Sequence, residues 1–411
     1  MSLTVDFERL KSDIQTLATI GLGEGQGLYR MAFSDGDMQA RAWLAERIRA
    51  AGLDLHVDGA ANIHARLGWD EGRTPSVMMG SHMDTVPGGG HLDGALGVLV
   101  ALECVRRLKE AGTALARPVE AVAFTDEEGR FGGMLGSQAI AGRLTPQTIY
   151  AAHDLDGISL VEAMQAYGLD PMDALSAQRR PDSLHAFLEL HIEQGPVLDR
   201  QKISVGVVEA ITGLFKWNVR LIGVANHAGT TPMDMRQDAF QGLAEFAGEI
   251  ARILEEHGSA RSVATIGRAE LYPGAANTVP GRVEFSLDVR DPAPEVLAGL
   301  GHAFRRALSA IARRRDLMFE FEVLSEIEPV KCDAGIADLI EEHANALDLR
   351  ALRMVSGAAH DTQIMAGITR AAMIFVPSKE GRSHSAAEWT AWEDIERGAN
   401  LALATLARLA A

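Results

Sequence analysis

The residues with the clearest chemical potential are histidines and carboxylates set in short, glycine-bearing segments. Gly80-Ser81-His82-Met83-Asp84-Thr85 is followed, eleven residues beyond His82, by Asp93 in Gly88-Gly89-Gly90-His91-Leu92-Asp93-Gly94. Thr125-Asp126-Glu127-Glu128-Gly129, Leu190-His191-Ile192-Glu193-Gln194-Gly195 and Ser383-His384-Ser385 complete the set. Imidazole and carboxylate without thiolate suit Zn2+, Mn2+ or Co2+ held for catalysis, with positions left for water. A carboxylate has two oxygens and can bridge two ions, whereas an imidazole nitrogen binds one. Two ions about 3.5 Å apart lower the pKa of a bridging water and polarise a carbonyl. A further carboxylate must then accept the water's proton and pass it to the leaving nitrogen. The adjacent Glu127 and Glu128 offer a ligand and a base from one turn.

Elements must aim these groups. Apolar runs over 77–81 and 119–125 read as buried strands, and 186–192 and 371–376 as two more. Residues 95–110 and 392–409 read as helices. Strand-length and helical stretches alternate from 74 to 141, which is the pattern of an α/β layer fold. All four histidine or carboxylate clusters then fall at or just past the C-terminal ends of strands, the edge where open α/β sheets bind ligands. The middle of the chain differs. It reads as a strand (214–224), a helix (237–256), a strand (262–271), a strand after the Pro280-Gly281 turn (282–290), a helix (294–315) and a strand (318–324). That β-α-β-β-α-β order is the ferredoxin-like, split βαβ motif. The expected fold is therefore an α/β catalytic domain of residues 1–211 and 328–411, with a central mixed sheet flanked by helices. A smaller α+β domain, 212–327, is inserted within it.

Composition narrows the function classes. The 411 residues are too many for one ordinary core. The net charge of −17, from 39 basic and 56 acidic residues, argues against nucleic acid and against an anionic membrane surface. The longest basic run, Arg313-Arg314-Arg315, closes a predicted helix, where cations suit the dipole. No apolar run reaches the length of a transmembrane helix, and the first residues lack the shape of a signal peptide. The two cysteines, Cys104 and Cys332, read as buried or free thiols. Together these point to a cytoplasmic protein.

The motifs resemble those of the hydantoinase/carbamoylase family of amidases. That family holds N-carbamoyl-L-amino-acid hydrolases, β-ureidopropionases and allantoate amidohydrolases within the zinc aminoacylase and carboxypeptidase clan. The likeness runs through His82-Met83-Asp84, Asp93-Gly94, Asp126-Glu127-Glu128-Gly129 and His191-Ile192-Glu193-Gln194-Gly195. It continues in Asn226-His227-Ala228-Gly229-Thr230-Thr231-Pro232, Asn277-Thr278-Val279-Pro280-Gly281, Ser356-Gly357-Ala358 and Ser383-His384-Ser385. The resemblance implies two divalent metal ions bridged by Asp93, with His82 and His191 completing one site and Glu128 and His384 the other. It implies Glu127 as general base, Asp84 as the carboxylate that orients His82, and Gln194, His227, Asn277 and Arg290 as substrate contacts. Arg290 suits a substrate carboxylate, since its fork grips both oxygens. His227 is implied to help stabilise the tetrahedral oxyanion, from its own chain or from a partner's. The inserted domain is implied to act as a lid and to form a homodimer.

The expected reaction is hydrolysis of an N-carbamoyl-L-amino acid or similar ureido acid to amine, CO2 and ammonia. Allantoate, or an N-acyl amino acid or dipeptide, is the alternative substrate on the same scaffold. A metal-binding protein without catalysis is the rival of another class, and the retained Glu127 argues against it. Three departures from the family pattern bear on substrate choice rather than on the ligands: Ala359 before His360-Asp361, Arg130-Phe131 directly after Gly129, and Ser385-Ala386 after His384. Plainer readings stand beside the sharp ones. Arg290 can serve a structural ion pair with a neighbour on its strand face, His360-Asp361 a helix start with an aspartate cap, and Gly88-Gly89-Gly90 a flexible loop delivering Asp93. His91 reads as exposed beside that loop, and His153, His185 and His257 lack an evident partner.

Overall fold

The computed structural model describes residues 3–411 apart from Glu24 and Gln26. The chain divides into two compact units, Met1–Glu209 with Cys332–Ala411, and Ala210–Lys331.

The first unit is built on a mixed sheet. Seven of its nine strands run in the order Asp54–Val57, Ile63–Leu67, Val119–Phe124, Ser76–His82, Leu184–Ile192, Ala371–Val376 and Val205–Ile211, and the short Val330–Lys331 and Ala351–Ser356 pair with the last. The four strands from Val119–Phe124 to Ala371–Val376 are parallel, and Ile63–Leu67 and Val205–Ile211 flank them antiparallel. Three of the parallel four are buried at every residue and Leu184–Ile192 at all but His185. This is why they read as continuous apolar runs rather than alternating ones: helices cover both faces. One such helix, Ala95–Glu110, is buried almost throughout and caps its C-terminus with Arg107 and Lys109 in the last turn. The helix Trp392–Leu409 buries Ile395, Leu403 and Leu406. Parallel strands share one direction, so His82, Glu127 and His191 all arrive at the same edge of the sheet.

The second unit has a five-stranded antiparallel sheet. Met318–Ile327, Gly213–Ile222 and Arg282–Asp291 are successive neighbours, and Val263–Thr265 and Ala269–Tyr272 both pair with the last. The helices Ala239–His257 and Pro294–Arg314 pack on this sheet around Trp217, Phe246, Phe285 and Phe304. Strict alternation in Arg282–Asp291 buries Val283, Phe285, Leu287 and Val289 and turns Arg290 to the other face. The single strand expected over 262–271 is instead two. At the break, the Ser286 hydroxyl accepts the Arg268 N–H at 3.1 Å, so a side chain replaces the main-chain carbonyl in the ladder. No helix among the described residues is long and apolar enough to cross a membrane.

Candidate metal centre

His82 is the last residue of its strand. The Asp84 main-chain carbonyl takes the His82 Nδ1 hydrogen at 3.0 Å, which leaves Nε2 facing Glu127 Oε2 at 3.5 Å. The Asp84 carboxylate, expected to orient His82, lies 3.7 Å from Nδ1. It also accepts the main-chain N–H groups of Glu127, at 3.3 Å, and Glu128, at 3.0 Å. Asp84 thus sets both sides of the cluster: its carbonyl aims the histidine and its carboxylate holds the turn that carries the glutamates. That turn is tight, with Asp126 at φ 54° and its carboxylate accepting from Phe131 N–H.

Asp93 is the centre of the arrangement. Its Oδ1 lies 3.2 Å from His191 Nε2 and its Oδ2 3.2 Å from His384 Nε2. One carboxylate therefore addresses two imidazoles, one oxygen to each. His384 Nε2 also lies 3.6 Å from Glu128 Oε1. His191 gives its Nδ1 hydrogen to the Ile192 carbonyl at 2.9 Å, fixing the tautomer that presents Nε2. Donor atoms of His82, Asp93 and His191 come close enough together to hold one cation, and so do those of Asp93, Glu128 and His384. Asp93 is common to both groups.

The electrostatics suit cations. Asp93, Glu127 and Glu128 have only imidazoles as ion-pair partners among the described residues. Burial, and then the neighbouring Glu128, push the Glu127 carboxyl well above the usual range. Burial and Asp93 raise Glu128 to about 8, and the bond to Asp93 raises His384 to about 9. Carboxylates crowded this way in a buried site hold their charge most readily around positive ions. Three imidazoles, carboxylates and no cysteine form the donor set of a catalytic rather than a structural site.

Two further residues shape the centre: Ser383, which its motif includes without a role, and Glu388, which sequence reasoning passed over. Glu388, only 2 % exposed, accepts the N–H groups of Leu92 and Asp93 at 2.9 and 3.0 Å through one oxygen. The Ser383 hydroxyl lies 3.0 Å from its other oxygen and 3.1 Å from Asp93 Oδ2. The Gly88-Gly89-Gly90 run is consequently more than a flexible loop. A Cβ on Gly90 would fall 2.2 Å from Glu388 Oε1, so the glycine leaves the space the carboxylate fills. No local periodicity marks Glu388, because its partners lie nearly three hundred residues earlier; the third glycine was the available signal.

Gln194, at φ 57°, sets its amide nitrogen 3.0 Å from Asp93 Oδ2 and so belongs to this cluster. His360 is buried with its ring 4.5 Å from that of His191, and its Nε2 is 2.9 Å from Ser356 Oγ. It, and not Asp361, occupies the N-cap place of the helix Asp361–Met365, and it makes no side-chain cap bond, so the expected aspartate cap is absent. His91 is half-buried against Trp389 rather than exposed. His185, with no evident partner in the sequence, meets Arg370. In the second unit, His227 sits in a two-residue ladder, Asn226–His227 with Thr278–Val279, and the Asn277 carbonyl accepts the Ala228 N–H at 2.8 Å beside it. His227 Nδ1 lies 3.1 and 3.2 Å from the N–H groups of Gly229 and Thr230 and accepts from them, leaving the ring hydrogen on Nε2 as a donor. Arg290 stands elsewhere on that unit's sheet, its Nε 2.9 Å from Asp288 Oδ1, the structural ion pair that strand alternation allows.

Comparison with known proteins bears on this geometry. The sequence profile of peptidase family M20/M25/M40 matches residues 78–408. An N-carbamoyl-L-amino acid amidohydrolase of Geobacillus stearothermophilus is 39% identical over 409 residues, 98% of each chain. The allantoate amidohydrolase of Escherichia coli is 34% identical over 405 residues, again 98% of each. The crystal structure of a hydantoinase/carbamoylase family amidase from Burkholderia multivorans superposes with a TM-score of 0.91 at 34% identity, covering 99% of this chain and 98% of that one. Relatives this similar over nearly the full length, together with the matching profile, make the chain a member of peptidase family M20/M25/M40, in its hydantoinase/carbamoylase group.

Proposed function

We propose that this amidohydrolase cleaves the carbamoyl C–N bond of an N-carbamoyl-L-amino acid or a similar ureido acid, consuming one water and releasing amine, CO2 and ammonia. The observation that carries the reading is the Asp93 carboxylate, which turns one oxygen to His191 and the other to His384. In this reading His82, Asp93 and His191 hold one divalent ion, and Asp93, Glu128 and His384 a second. Zn2+, Mn2+ or Co2+ bound there would polarise the scissile carbonyl and acidify the attacking water. Glu127, beside His82 and buried, takes the water's proton and returns it to the departing nitrogen. Gln194 binds a polar group of the substrate next to Asp93. The names of the relatives support a ureido substrate, since the Geobacillus protein is an N-carbamoyl-L-amino acid amidohydrolase and the E. coli one acts on allantoate.

The segment 212–327 serves in this reading as a lid that carries His227, Asn277 and Arg290 to the substrate. His227 donates from Nε2 to the developing oxyanion, Asn277 contributes a second polar contact, and Arg290, steadied by Asp288, grips the carboxylate. The lid also dimerises the protein; support comes from the outer strand Met318–Ile327, which exposes Met318, Val323 and Leu324. A monomer in sedimentation velocity would remove the dimer.

The substrate class is tested by ammonia release from N-carbamoyl amino acids and allantoate, with N-acyl amino acid cleavage followed in parallel. Release from a ureido acid, abolished by a chelator and restored by Zn2+ or Mn2+, is the expected result. Cleavage of acyl amides with no ammonia from any ureido acid would replace the substrate class and leave the metal centre standing.

Glu388 has its own expected effect. Glu388→Gln keeps the size but weakens the grip on the Asp93 loop, and metal affinity is expected to fall by about 10- to 100-fold. Calorimetric titration of the metal-free protein with Zn2+ measures this. Wild-type affinity in the variant would show that Asp93 is positioned without Glu388.

A further inference from the structure

The parallel strands that deliver the metal centre begin at the opposite edge of the sheet, and positive charge gathers there. Arg117 stands two residues before Val119–Phe124, His185 is the second residue of Leu184–Ile192, and Arg370 directly precedes Ala371–Val376. Arg408 joins them from the last turn of Trp392–Leu409. With Ile336, Leu339, Leu409 and Ala411 they line a cavity of about 350 Å³, large enough for a small organic ligand.

None of the three arginines is ion-paired with a carboxylate among the described residues, although acidic residues outnumber basic ones by 56 to 39 in the whole chain. Arg370 Nη2 lies 2.8 Å from His185 Nε2. A guanidinium can only donate, so His185 accepts there and its ring is neutral. Burial and the two neighbouring cations, Arg117 and Arg370, favour that neutral ring by lowering its pKa. The helix Ala334–Ala346 starts at the same cavity with Gly335 and Ile336, adding the positive end of its dipole. Asp333, at that helix start, is occupied in accepting the Ile336 N–H at 2.9 Å. Three cations line one cavity, Arg370 and Arg408 of them exposed, and an anion bound there is attracted by all three. Three guanidinium forks suit a phosphate group, with its double charge and several oxygens, better than a single carboxylate.

We propose that this cavity binds a phosphate-bearing small molecule, with Arg117, Arg370 and Arg408 holding the phosphate and Ile336, Leu339 and Leu409 receiving its apolar part. The cavity and the metal centre lie at opposite ends of strands of six to nine residues, roughly 20 Å or more apart at about 3.3 Å per residue. The ligand is therefore not the substrate, and it occupies a separate site.

The test is calorimetric titration of the metal-loaded protein with inorganic phosphate and with phenyl phosphate, ionic strength being held constant with chloride. Wild-type protein is expected to bind both, phenyl phosphate the more tightly. The Arg370→Ala/Arg408→Ala variant is expected to lose at least tenfold in affinity for each, and Glu127→Gln none. Circular dichroism checks that the double variant is folded, and Arg370→Lys/Arg408→Lys, which keeps the charge, is expected to fall between. Equal affinity in wild type and the alanine variant would place the phosphate outside this cavity and overturn the proposal. Failure of wild type to bind either phosphate would overturn it as well. Phenyl phosphate binding no tighter than inorganic phosphate would remove the apolar floor from the site.

Discussion

Glu127→Gln is expected to lower turnover by about 10²- to 10⁴-fold while the protein keeps its full metal content. The change removes the proton acceptor and little else. The turn that carries the residue is held through its main-chain N–H by Asp84, and that bond does not depend on the side chain. Burial and Glu128 already disfavour charge at this position, so an amide there leaves thermal stability unchanged or slightly higher. Ammonia release and metal analysis on the same preparation distinguish the outcomes. Turnover like wild type would take the role of base away from Glu127. Loss of metal together with turnover would make Glu127 a ligand, which its 3.5 Å approach to His82 Nε2 also permits.

Gly94→Ala is the second large effect, and it tests the geometry rather than the chemistry. Gly94 has φ 61° and ψ −50°, backbone angles that a residue with a Cβ avoids. A Cβ there would stand 2.3 Å from His82 Nε2 and 2.4 Å from the ring carbons beside it. The imidazole must move by about an ångström, and displacement of that size in an active site can cost about 10²-fold in rate. The expected result is loss of at least one metal equivalent, turnover reduced by about 10²-fold or more, and a lower melting temperature. Gly248→Ala is the matched control: this exposed glycine lies within the helix Ala239–His257, a Cβ there meets nothing within 4 Å, and stability is expected to rise by about 0.5–1 kcal/mol. Full metal content and normal activity in Gly94→Ala would mean that His82 does not stand where the structure puts it.

The elements around the centre were legible because each is specified locally. The helices Ala95–Glu110 and Trp392–Leu409 and the strand Ala371–Val376 follow from apolar period and length alone, and their bounds coincide with those expected. The alternation of Val283, Phe285, Leu287 and Val289 likewise predicts which way Arg290 turns. The break between Val263–Thr265 and Ala269–Tyr272 was not legible, because it depends on the hydroxyl of Ser286, a residue on the neighbouring strand. Asp84 shows the same limit at smaller scale. Its position two residues after His82 marks it as a partner, but which of its oxygens serves the histidine depends on where the Glu127-Glu128 turn arrives.

By itself, then, the sequence determined the donor types, their order, and their delivery to one edge of a parallel sheet, since residue chemistry and strand direction are local properties. Only the tertiary structure decided that Asp93 divides its oxygens between His191 and His384, that Glu388 and Ser383 steady it, and that Gly90 and Gly94 must lack side chains. It alone gathered Arg117, His185, Arg370 and Arg408 at the far edge. Each of these depends on atoms brought together from distant segments, and the reason is the same throughout: periodicity reports which face of an element is buried, not what that face meets.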